Sequence, residues 1–115
     1  MLSDKVLAKL NEQIGLEFES SNLYLQMSAW CAANGLDGCA DFLREHAQEE
    51  MAHMMRLFDY VLETGAMSVI PQLGKPRSEY ESVKDVFEAT YEHEKFITQK
   101  INELVATAFG ESDFS

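Results

Sequence analysis

Residues 46–53 of this 115-residue chain read His-Ala-Gln-Glu-Glu-Met-Ala-His, in the middle of a long segment whose apolar residues recur every three or four positions. That period predicts an amphipathic α-helix. Glu50 and His53 are three residues apart, so both fall on the apolar side of this helix. The stripe on that side consists of Cys39, Leu43, His46, Glu50, His53, Leu57 and Tyr60. Because a buried carboxylate is costly without a partner, the pattern indicates a metal ion or hydrogen-bond donors around Glu50.

Two other segments show the same period, and each carries one glutamate near the middle of its apolar stripe. The upstream stripe is Leu10, Ile14, Glu17, Ser21, Tyr24, Ser28 and Cys31. The downstream stripe is Val83, Phe87, Thr90, Glu94, Ile97, Ile101, Leu104 and Ala108. If the three stripes face one another, their glutamates meet in the interior together with His53.

The chain is predicted to be a single all-α domain over residues 1–115. We expect long helices over 3–34, 37–64 and 82–109, a crossover loop over 65–81 and a C-terminal stub over 110–115. The break between the first two helices is so short that they must be antiparallel. The crossover is long enough to span a helix, so the third helix can run parallel to the second, as in up-down bundles with one long crossover.

The predicted helix ends follow from residues with known capping preferences. Ser3 and Asp37 suit the starts of the first and second helices, and Ser82 begins a capping-box pattern at the third. Gly35 suits a left-handed helix end, and Gly110 is expected to stop the third helix.

The composition excludes several classes of function. Asp and Glu number 20 against 9 Lys and Arg, and the resulting net charge of -11 opposes binding to nucleic acid and permits attraction of cations. No apolar run is long enough for a membrane span, and the N-terminus does not resemble a signal peptide, so a cytoplasmic location is expected. Cys31 and Cys39 lack the spacing of a zinc site and are interpreted as structural thiols.

Glu17, Glu50, His53 and Glu94 together offer oxygen ligands and one imidazole, a set that suits iron or manganese and that zinc can also use. A Glu-x-x-His pair on one helix with single glutamates from others is the ligand pattern of di-iron carboxylate bundles. A metal-free network, in which His53 hydrogen-bonds to a glutamate, is the competing interpretation.

Four neighbouring residues have secondary roles in this hypothesis. His46, one turn from Glu50, is interpreted as a supporting core histidine, and His93 is expected to point to solvent. Tyr24 could hydrogen-bond a carboxylate, donate an electron or simply fill the core. Glu49 lies off the stripe, where an exposed carboxylate is the usual outcome.

In combination, the motifs resemble bacterial non-haem ferritins over the whole chain. The segments that carry the resemblance are Asn11-Glu-Gln, Glu17, Leu23-Tyr-Leu-Gln-Met-Ser-Ala-Trp30, His46-Ala-Gln-Glu-Glu-Met-Ala-His53, Arg56-Leu-Phe-Asp-Tyr60, Tyr91-Glu-His-Glu94 and Ile97-Thr-Gln-Lys-Ile-Asn-Glu-Leu104. The resemblance implies a ferritin-like four-helix bundle, of which this sequence supplies the first three long helices, and a homo-oligomeric cage that stores ferric mineral.

The resemblance also implies roles for individual residues. Glu17, Glu50 and His53 correspond to ligands of the first iron of a ferroxidase centre, at which Fe(II) is oxidised by dioxygen or hydrogen peroxide. Glu50 corresponds to the bridge to a second iron, whose ligands include Glu94, and Tyr24 lies beside the centre.

Two further positions complete this comparison. Glu49 matches a ligand of a third iron. Met51 stands where bacterioferritins place a haem-ligating methionine, but the other motifs resemble the non-haem branch, so no haem is predicted.

The departures from the family pattern bear on activity. The sequence contains no counterpart of the fourth long helix, which carries further carboxylates for the second and third irons, or of the short fifth helix. We therefore expect Ile97, Ile101 and Leu104 to lack cover and the chain to self-associate. The alternative function is a truncated fragment that self-associates and binds metal without competent ferroxidase activity. A rubrerythrin-like role is disfavoured, since the chain has no CxxC pairs.

Overall fold

The computed structural model describes residues 2–111, which form three long α-helices. They are α1 (Asp4–Ala33), α2 (Asp37–Glu63) and α3 (Val83–Glu111). The all-α class is confirmed. Within residues 2–111, none of these helices contains a stretch that is both long enough and apolar enough to cross a membrane.

Serine hydroxyls from α1 show that α1 and α2 form an antiparallel hairpin. Ser21 Oγ donates to the Ala47 carbonyl at 2.8 Å, and Ser28 Oγ donates to the Ala40 carbonyl at 2.6 Å. Residue numbers therefore rise along α1 as they fall along α2. Small side chains at these positions let the two helices approach closely enough for hydroxyl groups to reach the facing backbone.

α3 packs against α1 in the same antiparallel sense. Tyr24 meets Glu94, and nearer the start of α1 Lys9 Nζ lies 3.8 Å from Glu103 Oε2. α2 and α3 therefore run parallel to each other, as expected from the long crossover. No Cα of α2 lies within 8 Å of a Cα of α3, so each of these helices is a neighbour of α1 and they meet each other only through side chains, such as His46 and Glu94.

The helix ends agree with most of the capping predictions. Ser3 Oγ accepts a hydrogen bond from Val6 N at 3.1 Å, and Ser82 Oγ accepts one from Asp85 N at 3.1 Å. Gly35 has φ 73°, as its left-handed position requires.

Two of these predictions were wrong. Asp37 is the first helical residue rather than the cap, because Leu36 occupies the capping position without a side-chain bond. Gly110 does not stop α3, which continues to Glu111: glycine costs a helix only about 1 kcal/mol, and Gly110 does not have the positive φ of Gly35. Residues 112–115 of the expected stub lie outside the described residues.

The crossover follows the outer surface of α1. The Asn11 side chain donates to the Met67 carbonyl at 3.2 Å and accepts from Val69 N at 3.0 Å. One turn along α1, Pro71 lies so close to Gly15 that a Cβ there would be 2.5 Å from its Cγ. The loop can take this path only because residue 15 has no side chain.

The buried apolar residues form two clusters at different heights of the bundle. The upper cluster, near the α1–α2 turn, consists of Tyr24, Met27, Cys31, Ala40, Leu43, Ala47, Tyr80 and Val86. The lower cluster consists of Val6, Leu10, Ile14, Met54 and Val61. Between these clusters lie the polar residues of the stripes, so the fold places them in the interior at mid-height.

The side of α3 that faces away from α1 is largely exposed. Ile101 is 41% exposed, as expected for an uncovered residue, but Ile97 is only 4% exposed and Leu104 packs against the lower cluster. Val86, outside the predicted stripe, is fully buried, whereas Phe87 is exposed. The buried arc of α3 is therefore displaced from the prediction, because the backbone of α3 lies close to that of α1 and not to that of α2.

Candidate metal centre

Glu17 on α1 and Glu50 and His53 on α2 form a first group of potential metal ligands. One ligand atom from each lies within 4.8 Å of the others. Glu17 and Glu50 are 4% and 7% exposed, and His53 Nδ1 lies 3.5 Å from Glu50 Oε2 at the outer edge of the group. The three-residue spacing on α2 and the antiparallel packing of α1 bring these side chains to one level.

Two buried oxygens in this group lack a hydrogen-bond donor. Gln13 Nε2 donates to Glu17 Oε1 at 3.0 Å. Within residues 2–111, no donor reaches the buried Oε2 of Glu17 or the buried Oε2 of Glu50. Unpaired buried carboxylate oxygens are costly, and a cation between them would remove that cost. This observation favours a metal site over the metal-free network.

The electrostatics of Glu17 support the same interpretation. The pKa of Glu17 is raised from 4.5 to about 7, first because the carboxylate is buried and next because a protonated Glu17 can share a hydrogen bond with Glu50. The Gln13 hydrogen bond and the nearby His53 act in the opposite direction. A site that penalises the negative charge of its own carboxylate is a site that gains by binding a cation.

His46, Glu50 and Glu94 form a second group, whose ligand atoms also lie within 4.8 Å of one another. His46 Nε2 is 3.1 Å from Glu94 Oε1 and 3.6 Å from Glu50 Oε1. Glu50 therefore belongs to both groups and directs one oxygen toward each. The sequence interpretation of His46 as a supporting residue missed this group. The four-residue spacing places His46 beside Glu50, but it does not distinguish a ligand from a supporting residue.

Tyr24 connects α1 to the second group. Its hydroxyl donates a hydrogen bond to the Glu94 carboxylate, and its ring centroid lies 4.4 Å from that of His46. Burial, followed by the hydrogen bond to Glu94, raises the pKa of Tyr24 above its usual value. The phenol therefore keeps its proton and fixes the orientation of Glu94.

The two remaining candidates lie apart from both groups. Glu49 is exposed on α2 and joins neither group among residues 2–111. The expectation that His93 faces solvent was wrong, since it is half-buried and its Nε2 lies 2.7 Å from Ser20 Oγ. Ser20 Oγ itself donates to the Leu16 carbonyl, so the hydroxyl accepts from His93. Burial lowers the pKa of His93.

This donor set can hold two cations side by side. Carboxylate oxygens with one imidazole in each group suit iron or manganese and can also hold zinc. Because Glu50 is shared, two ions bound here would be neighbours with a common ligand. The structure places Glu17, Glu50 and His53 in the first group and Glu94 in the second, and Glu50 is common to both.

Comparisons with known proteins give the family. The ferritin-like domain family matches residues 7–115. A probable bacterial non-heme ferritin-like protein of Haemophilus influenzae is 58% identical over 115 residues, which are 100% of this chain and 70% of that protein. The bacterial non-heme ferritin of Escherichia coli O157:H7 is 52% identical over 114 residues, which are 99% of this chain and 69% of that protein.

Solved structures agree with these relatives. A ferritin of Chlorobium tepidum superposes with a TM-score of 0.95 and 51% identity, covering 98% of this chain and 69% of that one. An open pore ferritin from Archaeoglobus fulgidus gives a TM-score of 0.96 at 39% identity, covering 99% of this chain and 70% of that one. The resemblance inferred from the motifs is thereby confirmed: the chain belongs to the ferritin-like family and is a homologue of the bacterial non-heme ferritins.

Proposed function

We propose that this protein takes part in iron storage and detoxification by binding Fe(II) at two adjacent sites and oxidising it to Fe(III). The observation that carries the proposal is the position of Glu50, a buried carboxylate shared by two groups of potential ligands. The names of its relatives, bacterial non-heme ferritins, point to iron as the metal. Iron is here the substrate rather than a permanent cofactor.

Each residue of the centre has a distinct role in this proposal. Glu17 and His53 hold the first Fe(II), Glu94 holds the second, and Glu50 bridges the two. Tyr24 positions Glu94 through its hydrogen bond. The proximity of the ions is what the reaction needs, since each Fe(II) supplies one electron and a pair supplies the two that reduce dioxygen, with two protons, to hydrogen peroxide. Hydrogen peroxide can serve as the oxidant in the same way, with reduction to water.

Glu49 is proposed for a different step. It lies on the exposed side of α2, next to Glu50 in the chain but outside both groups. In the bacterial non-haem ferritins that this chain resembles, the counterpart of Glu49 binds a third iron. We therefore assign Glu49 to iron that enters or leaves the centre.

Metal binding without oxidation is the second candidate function. The side chains of His53 and Glu94 are 48% and 42% exposed, so one ligand in each group remains open to water. Water competing at these two ligands would weaken the binding of metal at both sites. This protein would then hold metal without turning it over.

Self-association is also proposed, with further copies of this chain as partners. Phe87, Ile101, Val105 and Phe109 present exposed apolar side chains along α3. Covering such a surface contributes roughly 25 cal/mol per Å² of apolar area buried. Sedimentation velocity over a range of concentrations should show an oligomer, and a concentration-independent monomer would contradict this.

Anaerobic loading followed by exposure to air tests the central proposal. Two Fe(II) ions should bind per chain, and admission of dioxygen should then oxidise both with consumption of about one dioxygen per pair. Glu45→Gln is a matched control, because Glu45 is an exposed carboxylate on α2 outside both groups. Binding of two ions without oxidation would favour the second candidate, and no binding at all would exclude both.

A further inference from the structure

His46 has no assigned role in the proposed centre, although it faces two of its carboxylates. We propose that His46 is itself a ligand of the second metal ion, completing with Glu50 and Glu94 a site of one imidazole and two carboxylates. The inference rests on the proposed function for the existence of paired metal binding. It adds His46 to the ligands of the second ion. The resemblance to ferritins assigned no role to this residue, and the sequence pattern indicated only a supporting histidine.

The distances in the second group fit a common ion. Two ligand atoms, each about 2.1 Å from an ion and separated by an angle of roughly 90–110°, are about 3.0–3.4 Å apart. His46 Nε2 lies 3.1 Å from Glu94 Oε1 and 3.6 Å from Glu50 Oε1. Only small side-chain movements are therefore needed to place all three atoms around one ion.

The imidazole of His46 is held in this orientation by its neighbours. The Tyr24 ring lies 4.4 Å from it on one side, and the Phe42 ring meets it at 76° with centroids 6.1 Å apart. Both contacts restrict the χ angles of His46, so little conformational entropy is lost when Nε2 binds an ion. Such packing around a ligand is a general requirement of precise metal sites.

Glu50 joins the second group to the first. The residue is only 7% exposed, and its Oε2, which faces His53 of the first group, has no donor within residues 2–111. Its other oxygen, Oε1, points toward His46. A second ion at this oxygen would leave both carboxylate oxygens of Glu50 in contact with positive charge.

His93 provides an internal comparison. It is adjacent to the ligand Glu94 in the chain, but its Nε2 is engaged by Ser20 Oγ at 2.7 Å. It belongs to neither group of potential ligands in the described part of the chain. A histidine next to Glu94 in the sequence is therefore not necessarily a candidate ligand. The direction of its ring nitrogen decides whether it belongs to the group.

The competing role for His46 is that of a hydrogen-bond donor that only orients Glu94. His46→Gln separates the two roles, because the glutamine amide can still donate to Glu94 but offers no imidazole nitrogen. A positioning role predicts that His46→Gln retains the second ion, and a ligand role predicts that it loses the ion.

Anaerobic titration with Co(II), followed by absorption spectroscopy and calorimetry, measures each site without requiring turnover. We expect two ions in the unaltered protein, one ion in His46→Gln and two in His93→Gln, with the second site weakened at least about tenfold in His46→Gln. His53→Ala should weaken the first site instead. Two ions bound to His46→Gln with unchanged affinity would overturn the inference and leave the proposed function intact, whereas no binding to the unaltered protein would overturn both.

A second measurement does not depend on the fold of any variant. Nitrogen-15 NMR of the histidine rings during Zn(II) titration of the unaltered protein should show the Nε2 signal of His46 moving with the second equivalent. The Nε2 signal of His93 should not move. A His46 signal that stays in place while two equivalents bind would overturn the inference.

Discussion

The interface between α1 and α2 and the interface between α1 and α3 are held together in different ways. α1 buries twelve residues and α2 six, whereas α3 buries only Val86 and Ile97. α3 instead docks through surface ion pairs such as Lys100–Glu12 and through the Tyr24 hydrogen bond. Packing alone thus organises the first group of ligands, which lies within the hairpin, but the second group forms only when α3 is in place.

Two substitutions, one in the core and one on the exposed side of α3, should test this contrast most strongly. Leu43→Ala removes a fully buried side chain from the upper cluster, and we expect it to lower the free energy of unfolding by about 4 kcal/mol. Ile101→Ala on the exposed side of α3 should lower it by less than about 1 kcal/mol. Urea unfolding followed by circular dichroism measures both. Equal losses would mean that α3 is packed as tightly as the hairpin.

The pH dependence of stability sharpens the description of the first group. The pKa of Glu17 is about 7 in the folded protein against 4.5 for the free side chain, so the folded state holds the proton more tightly. The contribution of Glu17 to the stability of the metal-free protein should therefore be greatest below about pH 4.5. The free energy of unfolding should fall by roughly 3 kcal/mol as the pH rises through 7.

Glu17→Gln tests this assignment, because glutamine cannot ionise. The difference in unfolding free energy between Glu17→Gln and the unaltered protein should grow in favour of the variant from pH 4 to pH 8. Thermal or urea unfolding of metal-free protein at the two pH values supplies the numbers, and Glu45→Gln is the control. A difference that does not change with pH would remove Glu17 as the titrating group.

Glu50→Ala should disable both groups at once. Because Glu50 is the shared ligand, we expect the rate of Fe(II) oxidation to fall at least about a hundredfold, or roughly 2.7 kcal/mol in activation free energy. Metal-free protein should keep its stability or gain some, since a buried charge beside Glu17 disappears and alanine favours the helix. Stopped-flow oxidation and thermal unfolding measure the two effects. An unchanged rate with a large loss of stability would make Glu50 a structural residue.

The smallest expected effect concerns the ion pairs that dock α3. Lys100 Nζ lies 3.7 Å from Glu12 on α1 and 3.5 Å from Glu103 on α3, on a partly exposed surface. Lys100→Met should lower the free energy of unfolding by less than about 1 kcal/mol, and this decrease should be smaller in high salt. Lys84→Met is the matched control, because Lys84 pairs with Glu88 within α3 and contributes nothing to docking. A larger loss for Lys84→Met would contradict a docking role for Lys100.

Much of this fold could be predicted because it depends on local signals. The hydrophobic period located three helices, and Gly35 and Ser82 marked their ends. The first group could be predicted because Glu50 and His53 lie on one helix, where their spacing fixes their relative position. The buried arc of α3 could not be predicted as well, because it depends on which neighbours α3 has rather than on its own pattern.

His46 illustrates the limit for the site. An imidazole one turn from a carboxylate is compatible with a ligand and with a supporting hydrogen bond, and the sequence does not distinguish them. Only the three-dimensional position of Glu94, which comes from another helix, reveals the second group. His93 shows the converse, since its neighbour Glu94 is a candidate ligand but Ser20 on α1 engages its ring nitrogen.

The path of the crossover limits where this loop can change in length. Asn11, Gly15 and Glu19 are spaced one turn apart on α1, and they contact successive points of the loop, the last through Gly74 N at 3.1 Å from Glu19 Oε2. Surface loops usually tolerate insertions. Here, an insertion before Gly74 would have to disturb at least one of these three contacts with α1. The residues between Gly74 and α3 are therefore the part of the crossover that can accommodate an added residue while α1 and α3 keep their packing.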